Sequence, residues 1–271
     1  MRLHDYLRRV GLDAGLRPTA ETLRRLHVAH REAFLFENIS IQTGGTINLA
    51  LDALERKFID EKRGGYCFEH NTLFGMVLRE LGFDPVTLLG RVHRGPPERW
   101  ARTHMVLKVP ADGQVWLADV GFGGLGLLEP IPLGDGTVAE QAGLAYTLRR
   151  DSGLWILSMR ARAQMLPSQH DHDASMVDLY EFSEDPQTAG DIEVANHFTS
   201  THPDSVFRRT LTIQRTARDG RLILRGETLT RYEDGRAIEE PVARDRVRGV
   251  AHELFGVELP STPLVSETYD S

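Results

Sequence analysis

The chain changes texture at Pro85, and that break constrains the fold more than any other feature of the sequence. Before it, apolar residues recur at helical spacing in four segments. They are Leu3, Tyr6, Leu7 and Val10 ahead of Gly11; Leu23, Leu26 and Ala29 behind Thr19, a natural N-cap; Leu51, Leu54 and Phe58 after Asn48; and Leu73, Val77, Leu78 and Leu81 ahead of Gly82. Pro85 cannot prolong the last of these, because its ring removes a donor and clashes with the preceding turn. Beyond it come β-rich stretches over 86–92, 104–109, 115–120, 145–149 and 154–159, with turn signals at Asp112-Gly113 and Ser152-Gly153. From about Gln187 the texture is mixed. A helical stretch carrying Ile192, Ala195 and Phe198 runs to Pro203, hairpin signals follow at Asp219-Gly220 and Asp234-Gly235, and Val247, Val250, Ala251, Leu254 and Phe255 precede Gly256. The expected class is therefore α+β in three zones: 1–84 helical, 85–186 a β-meander or small barrel, and 187–271 mixed, packed as one body.

Composition narrows the function. At 271 residues, 41% of them hydrophobic and 26% charged, the chain is long enough for sizeable cores and ordinary enough to exclude a disordered or fibrous protein. Lys+Arg 32 against Asp+Glu 39 gives a net charge of −7, which offers no field to draw a nucleic-acid backbone. No apolar run suffices for a bilayer span, and the charged start (Arg2, Asp5, Arg8, Arg9) has no signal-peptide core, so a soluble cytoplasmic protein without membrane or nucleic-acid partners is expected.

The only cysteine, Cys67, can form neither an internal disulfide nor a multi-thiolate metal site. Its setting, Arg63-Gly64-Gly65-Tyr66-Cys67-Phe68-Glu69-His70-Asn71, is the most unusual in the chain. Two glycines allow close backbone approach, and the helical pattern resumes just after Cys67, which places the sulfur at a helix start. Free amides and the positive dipole end there favour thiolate, the nucleophilic species.

A thiolate nucleophile needs a base, and the base needs a residue to orient it. Eleven histidines compete. If Asp112-Gly113 is a two-residue turn, His104 falls opposite Gly121 and Asp119 lies one diagonal step away on the same face, within side-chain reach; a three-residue turn would separate them. Asp119 also stands at the end of an otherwise apolar strand, where a carboxylate needs a specific partner. Gly121, Gly123 and Gly124, next to it, suggest exposed backbone amides.

Together the segments Arg63-Gly64-Gly65-x-Cys67-x-Glu69-x-Asn71, Thr103-His104 and Asp119-Val120-Gly121-Phe122-Gly123 resemble the arylamine N-acetyltransferase family. Phe36-Glu37-Asn38 and Asn196-x-Phe198-x-Ser200-Thr201-His202-Pro203 extend the resemblance over nearly the whole chain, with Leu35 standing where relatives commonly carry proline. It implies a helical bundle, a β-barrel and an α/β lid around a cysteine-protease-like triad of Cys67, His104 and Asp119. It further implies ping-pong transfer of acetyl from acetyl-coenzyme A, through an acetyl-cysteine, to arylamines, arylhydrazines or arylhydroxylamines, without a metal. Thr103, Gly121, Gly123 and Gly124 are the candidate cofactor contacts, with the Cys67 amide and one near Thr103 as oxyanion donors; Phe36, Phe122 and Phe198 are the candidate acceptor contacts. Rival readings are an amide synthase of the same family and a papain- or transglutaminase-like hydrolase. The physiological amine, the acyl preference and the oligomeric state, homodimer included, are not legible.

Other signals are read as structural. His170-Asp171-His172-Asp173 is a solvated loop, 93–99 an exposed loop with arginines, and His70 a rival base that its position on the helix turns away from the sulfur. Glu69 and Asn71 tie the turn, and Arg63 pairs with Glu37.

Overall fold

The structure, a computed structural model, describes residues 1–160, 176–233 and 236–269. The helical zone holds α1 (Leu3–Arg9), α2 (Ala20–Ala33), α3 (Ile39–Gln42), α4 (Leu51–Glu55) and α5 (Cys67–Glu80), with a π-turn, Arg56–Asp60, continuing α4. Thr19 caps α2 by accepting from Thr22 N, and Gly82, at φ +89°, lets the chain turn away after α5. One element of this zone has no local signal: a two-residue strand, β1 (Phe36–Glu37).

The switch to strands falls between Glu80 and Val86. Strands β2 (Val86–Val92), β3 (Arg102–Ala111), β4 (Gln114–Ala118), β5 (Ile131–Pro132), β6 (Thr137–Gln141), β7 (Leu144–Asp151), β8 (Leu154–Arg160) and β9 (Met176–Phe182) form one antiparallel sheet. Its order is β5-β4-β3-β2-β9-β8-β7-β6, and a turn from Gly134 to Thr137 joins the two edges, so the barrel is nearly closed. Leu88, Val106, Leu117, Tyr146, Leu157 and Tyr180 fill its interior.

The last zone comprises α6 (Ala189–Thr201), α7 (Val206–Arg209), β10 (Thr212–Thr216), β11 (Arg221–Arg225), β12 (Thr228–Glu233), β13 (Arg236–Pro241) and α8 (Val247–Phe255). The Asp234-Gly235 turn lies outside the described residues, as does the 170–173 tract. Strand β1 pairs with β10, Phe36 opposite Gln214. The helical zone therefore supplies the first strand of the sheet that the C-terminal zone completes.

Burial brings the zones together. One face of α5 (Phe68, Leu73, Phe74, Val77) shares a core with Met105, Leu107 and Val109 of β3 and with Ala118 and Val120. This shared core holds the β3–β4 hairpin against the helix that begins at Cys67.

Candidate active site

Cys67 is the first residue of α5, as the resumption of helical spacing requires. The glycines before it are demanded by packing. A Cβ at Gly64 would sit 1.7 Å from the Leu35 carbonyl oxygen, while Gly65 N donates to that oxygen at 3.2 Å and Gly65 O accepts from Glu37 N at 2.7 Å. Glu69 reaches back to accept from Tyr66 N at 3.1 Å, and Lys57 meets Glu69 at 2.6 Å and Glu37 at 3.7 Å. Arg63 pairs with the buried Glu37 at 2.7 Å. The turn entering the helix is thereby fixed on both sides by buried charge.

Cys67 is 3% exposed and its thiol donates to Thr103 O at 3.6 Å. Burial pushes this thiol well up, with the Asp119 charge adding to the effect and the Phe68 and Met105 amides opposing it. Desolvation thus outweighs the helix terminus, contrary to the dipole argument alone.

His104 follows Thr103, whose carbonyl receives the Cys67 thiol. Its Nε2 lies 2.8 Å from Asp119 Oδ2, with both side chains buried. Burial by itself would raise the Asp119 carboxyl, but the charge and hydrogen bond of His104, the Asn71 amide and the Gly121 amide outweigh it and hold it at about 2. Asn71 Nδ2 donates to Asp119 Oδ1 at 3.0 Å and Gly121 N to the same oxygen at 2.9 Å. A carboxylate fixes the tautomer: Nε2 carries the proton, and Nδ1 remains the basic atom of neutral His104.

The two-residue turn is present, with Asp112 at φ +50° and Gly113 at φ +75°, and it sets the expected parity, Leu107 opposite Ala118. The ladder nevertheless ends at Ala118 and does not extend to Val120. Val120 N donates instead to Asn71 Oδ1 at 3.1 Å while Asn71 Nδ2 donates to Met105 O at 2.6 Å, so a side chain of α5 stands in for the next β3–β4 pair; Asp119 N, which points away from β3, donates to His27 Nε2 of α2 at 3.1 Å.

The glycines after Asp119 correct one expectation. Gly121 and Gly124 do not expose their amides: Gly121 N is held by Asp119, and Gly124 N donates to Gln214 Oε1 at 2.5 Å. They are glycines because of close approach. A Cβ at Gly121 would lie 2.8 Å from Cys67 Cα and 2.5 Å from Asn71 Nδ2, and one at Gly124 would lie 2.5 Å from Ile223 Cδ1. Gly123 adopts φ +89°, and its carbonyl accepts from Arg31 at 2.5 Å.

Of the aromatic candidates, Phe122 packs edge-on to His104 with ring centroids 5.1 Å apart. Phe36 is buried, stacked at 6.2 Å on His70 and 6.0 Å from Phe207. Phe198 is 42% exposed and stacks on His202, so it does not belong to the buried face of α6, which carries Ile192, Ala195, Asn196 and Thr199. His70 is fully engaged. Its Nε2 donates to Leu35 O at 3.0 Å, its Nδ1 accepts from His30 at 2.8 Å, and burial pulls it down to about 3. Sequence reasoning missed Tyr180, whose ring lies 4.8 Å from His104, and His27; neither has a local signal, since both reach the site only through the fold.

This arrangement matches known proteins throughout its length. A family profile described as N-acetyltransferase covers residues 19–265. An arylamine N-acetyltransferase of Mycolicibacterium smegmatis is 38% identical over 96% of this chain and 93% of its own, and one from Salmonella typhimurium, also described as an N-hydroxyarylamine O-acetyltransferase, is 38% identical over 88% and 82%. The solved structure of the Mycobacterium marinum arylamine N-acetyltransferase in complex with CoA superposes with a TM-score of 0.85 at 35% identity, covering 94% of this chain and 92% of that one. With the helix-borne cysteine, the buried His–Asp pair and near-complete coverage in agreement, the chain belongs to the arylamine N-acetyltransferase family and is an acyltransferase.

Proposed function

We propose that this protein moves an acetyl group from acetyl-coenzyme A to an arylamine, arylhydrazine or arylhydroxylamine by a ping-pong route through Cys67. The observation that carries the reading is the buried pair of His104 Nε2 and Asp119 Oδ2 at 2.8 Å, one residue beyond the carbonyl that receives the Cys67 thiol. Asp119, ionised at any physiological pH, accepts the Nε2 proton and orients the ring, and His104 Nδ1 takes the thiol proton. Proton transfer replaces a neutral buried thiol by a thiolate beside an imidazolium, which meets the need that desolvation creates.

The thiolate then attacks the thioester carbonyl carbon. A new S–C bond forms, the bond to the coenzyme A sulfur breaks, and the departing thiolate takes the proton from His104. In the second half the acceptor nitrogen attacks the acetyl-cysteine, loses its proton to His104 and expels the Cys67 thiolate. Backbone amides at Cys67 and next to Thr103 are the proposed oxyanion donors, and Phe122, set against His104, is the proposed flat surface for an aryl ring. The M. marinum relative solved with CoA supports coenzyme A as the donor's carrier; with acetyl-coenzyme A as donor, the cytoplasm is the proposed site of action.

The test is intact-mass measurement after mixing with acetyl-coenzyme A alone. One acetyl group on Cys67, matched by one equivalent of free coenzyme A and discharged on adding an aniline or hydrazide, is the expected result. An unmodified Cys67 during turnover, or peptide cleavage independent of coenzyme A, overturns the reading.

A further inference from the structure

Asp119 is gripped at its carboxylate, but it is also gripped at its backbone, from a different helix. His27, fully buried on α2, accepts from Asp119 N at 3.1 Å through Nε2 and meets Leu128 O at 2.8 Å through Nδ1. Both partners are main-chain atoms of fixed polarity: an amide can only donate and a carbonyl can only accept. The ring is therefore neutral with its proton on Nδ1, and protonating Nε2 would break the bond to Asp119. One turn later on the same face, Arg31 donates to Val120 O at 3.3 Å, to Gly123 O at 2.5 Å and to Thr216 Oγ1 of β10 at 3.1 Å. Thus α2 seizes the 119–123 segment where the ladder ends, opposite the side held by Asn71.

We infer that His27 is a positioning residue for the Asp119–His104 pair, acting as a neutral acceptor that anchors the Asp119 amide on the side away from β3 and so fixes the backbone from which the carboxylate reaches His104. The inference rests on the proposed roles of Cys67, His104 and Asp119. Without the acceptor on His27, Asp119 N, which points away from β3, would be left buried without a partner, and the segment would have to shift to recruit one, carrying the carboxylate from His104. The groups that face the ring are Arg31 and His30 of its own helix, Phe74 of α5 at 5.7 Å between ring centroids, and Asp119 itself. None offers a second acceptor for the Asp119 amide.

Two substitutions separate the two ends of the ring. In His27→Gln the amide oxygen falls where Nε2 was, keeping the acceptor for Asp119; in His27→Asn the shorter amide reaches only the Leu128 position, keeping the donor and losing the acceptor. The measurement is the rate of alkylation of Cys67 by iodoacetamide against pH, on the full chain without substrate, together with kcat and KM for acetyl transfer from acetyl-coenzyme A to an aniline. Wild type is expected to show a thiolate inflection below that of a free thiol, and His27→Gln to keep it. His27→Asn is expected to move the inflection up by about one pH unit and to lower kcat about 10- to 100-fold with KM little changed, as a misplacement on the ångström scale does. A wild-type profile with Gln and Asn equally impaired, or with neither altered, overturns the role of His27 while leaving the acetyl-transfer reading intact. A wild-type inflection at the free-thiol position overturns both.

Discussion

The Asp119 carboxylate accepts from His104, Asn71 and Gly121, and this set of donors makes its charge the fixed point of the site. Asp119→Asn removes the charge, keeps the shape and inverts the tautomer preference of His104; activity is expected to fall about 10⁴-fold with the fold intact, measured as kcat against circular dichroism and melting temperature. Gly64 tests the opposite kind of constraint. The position 1.7 Å from a backbone oxygen leaves no room for a methyl group, so Gly64→Ala is expected to displace Leu35 or the Cys67 turn and to cost about 1–3 kcal/mol in urea unfolding. At this scale the sequence was most legible where chemistry is odd: a lone cysteine behind two glycines, and a carboxylate ending an apolar strand. It was least legible where partners are distant. The amide of Gly124 reads as free until Gln214, 90 residues on, is seen to occupy it, and His27 carries no mark of its contact with Asp119, 92 residues away.

Hairpin turns show the same divide among the elements. Asp112-Gly113 and Ser152-Gly153 have both residues at positive φ and announce themselves through residues that tolerate that conformation. Between β6 and β7 the turn is Ala142-Gly143, with Ala142 at φ +46°, and alanine gives no turn signal. Strand β6 consequently had no visible boundary and was missed, as were the two residues of β5. Ala142→Asn replaces a strained residue by one at ease there, so a gain of about 1 kcal/mol, or roughly 2–4 °C in melting temperature, is expected, read by calorimetry. Helix α6 was found, and Ile192 and Ala195 do face inward, but Phe198 does not. Its inward face also carries Asn196 and Thr199, whose polar groups are satisfied by hydrogen bonds (Asn196 Nδ2 to Ile47 O at 3.1 Å, Thr199 to Ala195 O at 2.7 Å), so polarity was a poor guide to where that face ends.

Across the whole molecule, three imidazoles are sealed in the interior between α2 and α5. Burial lowers His27 to about 4 and His70 to about 3, and lowers His30 well below the ordinary value. The unfolded chain binds protons at these sites from about pH 6.5 downward, whereas the folded protein refuses them until far lower pH. Their stabilising contribution is therefore complete above about pH 6.5 and is lost as pH falls through the window toward 4. Urea titrations from pH 7 to 4 are expected to show stability dropping with a slope near 1.4 kcal/mol per pH unit for each histidine titrating. His27→Gln is expected to lessen that slope by one proton. A flat profile over this window would mean that the imidazoles are wetter than the packing shows.

Pairing of Phe36 with Gln214 has a bearing on how the protein is born. During synthesis the segment bearing Phe36 leaves the ribosome long before its neighbour exists, so the nucleophile's own turn stays without its sheet until Gln214 has been made. Products terminated before Gln214 therefore carry the cysteine without a finished cradle.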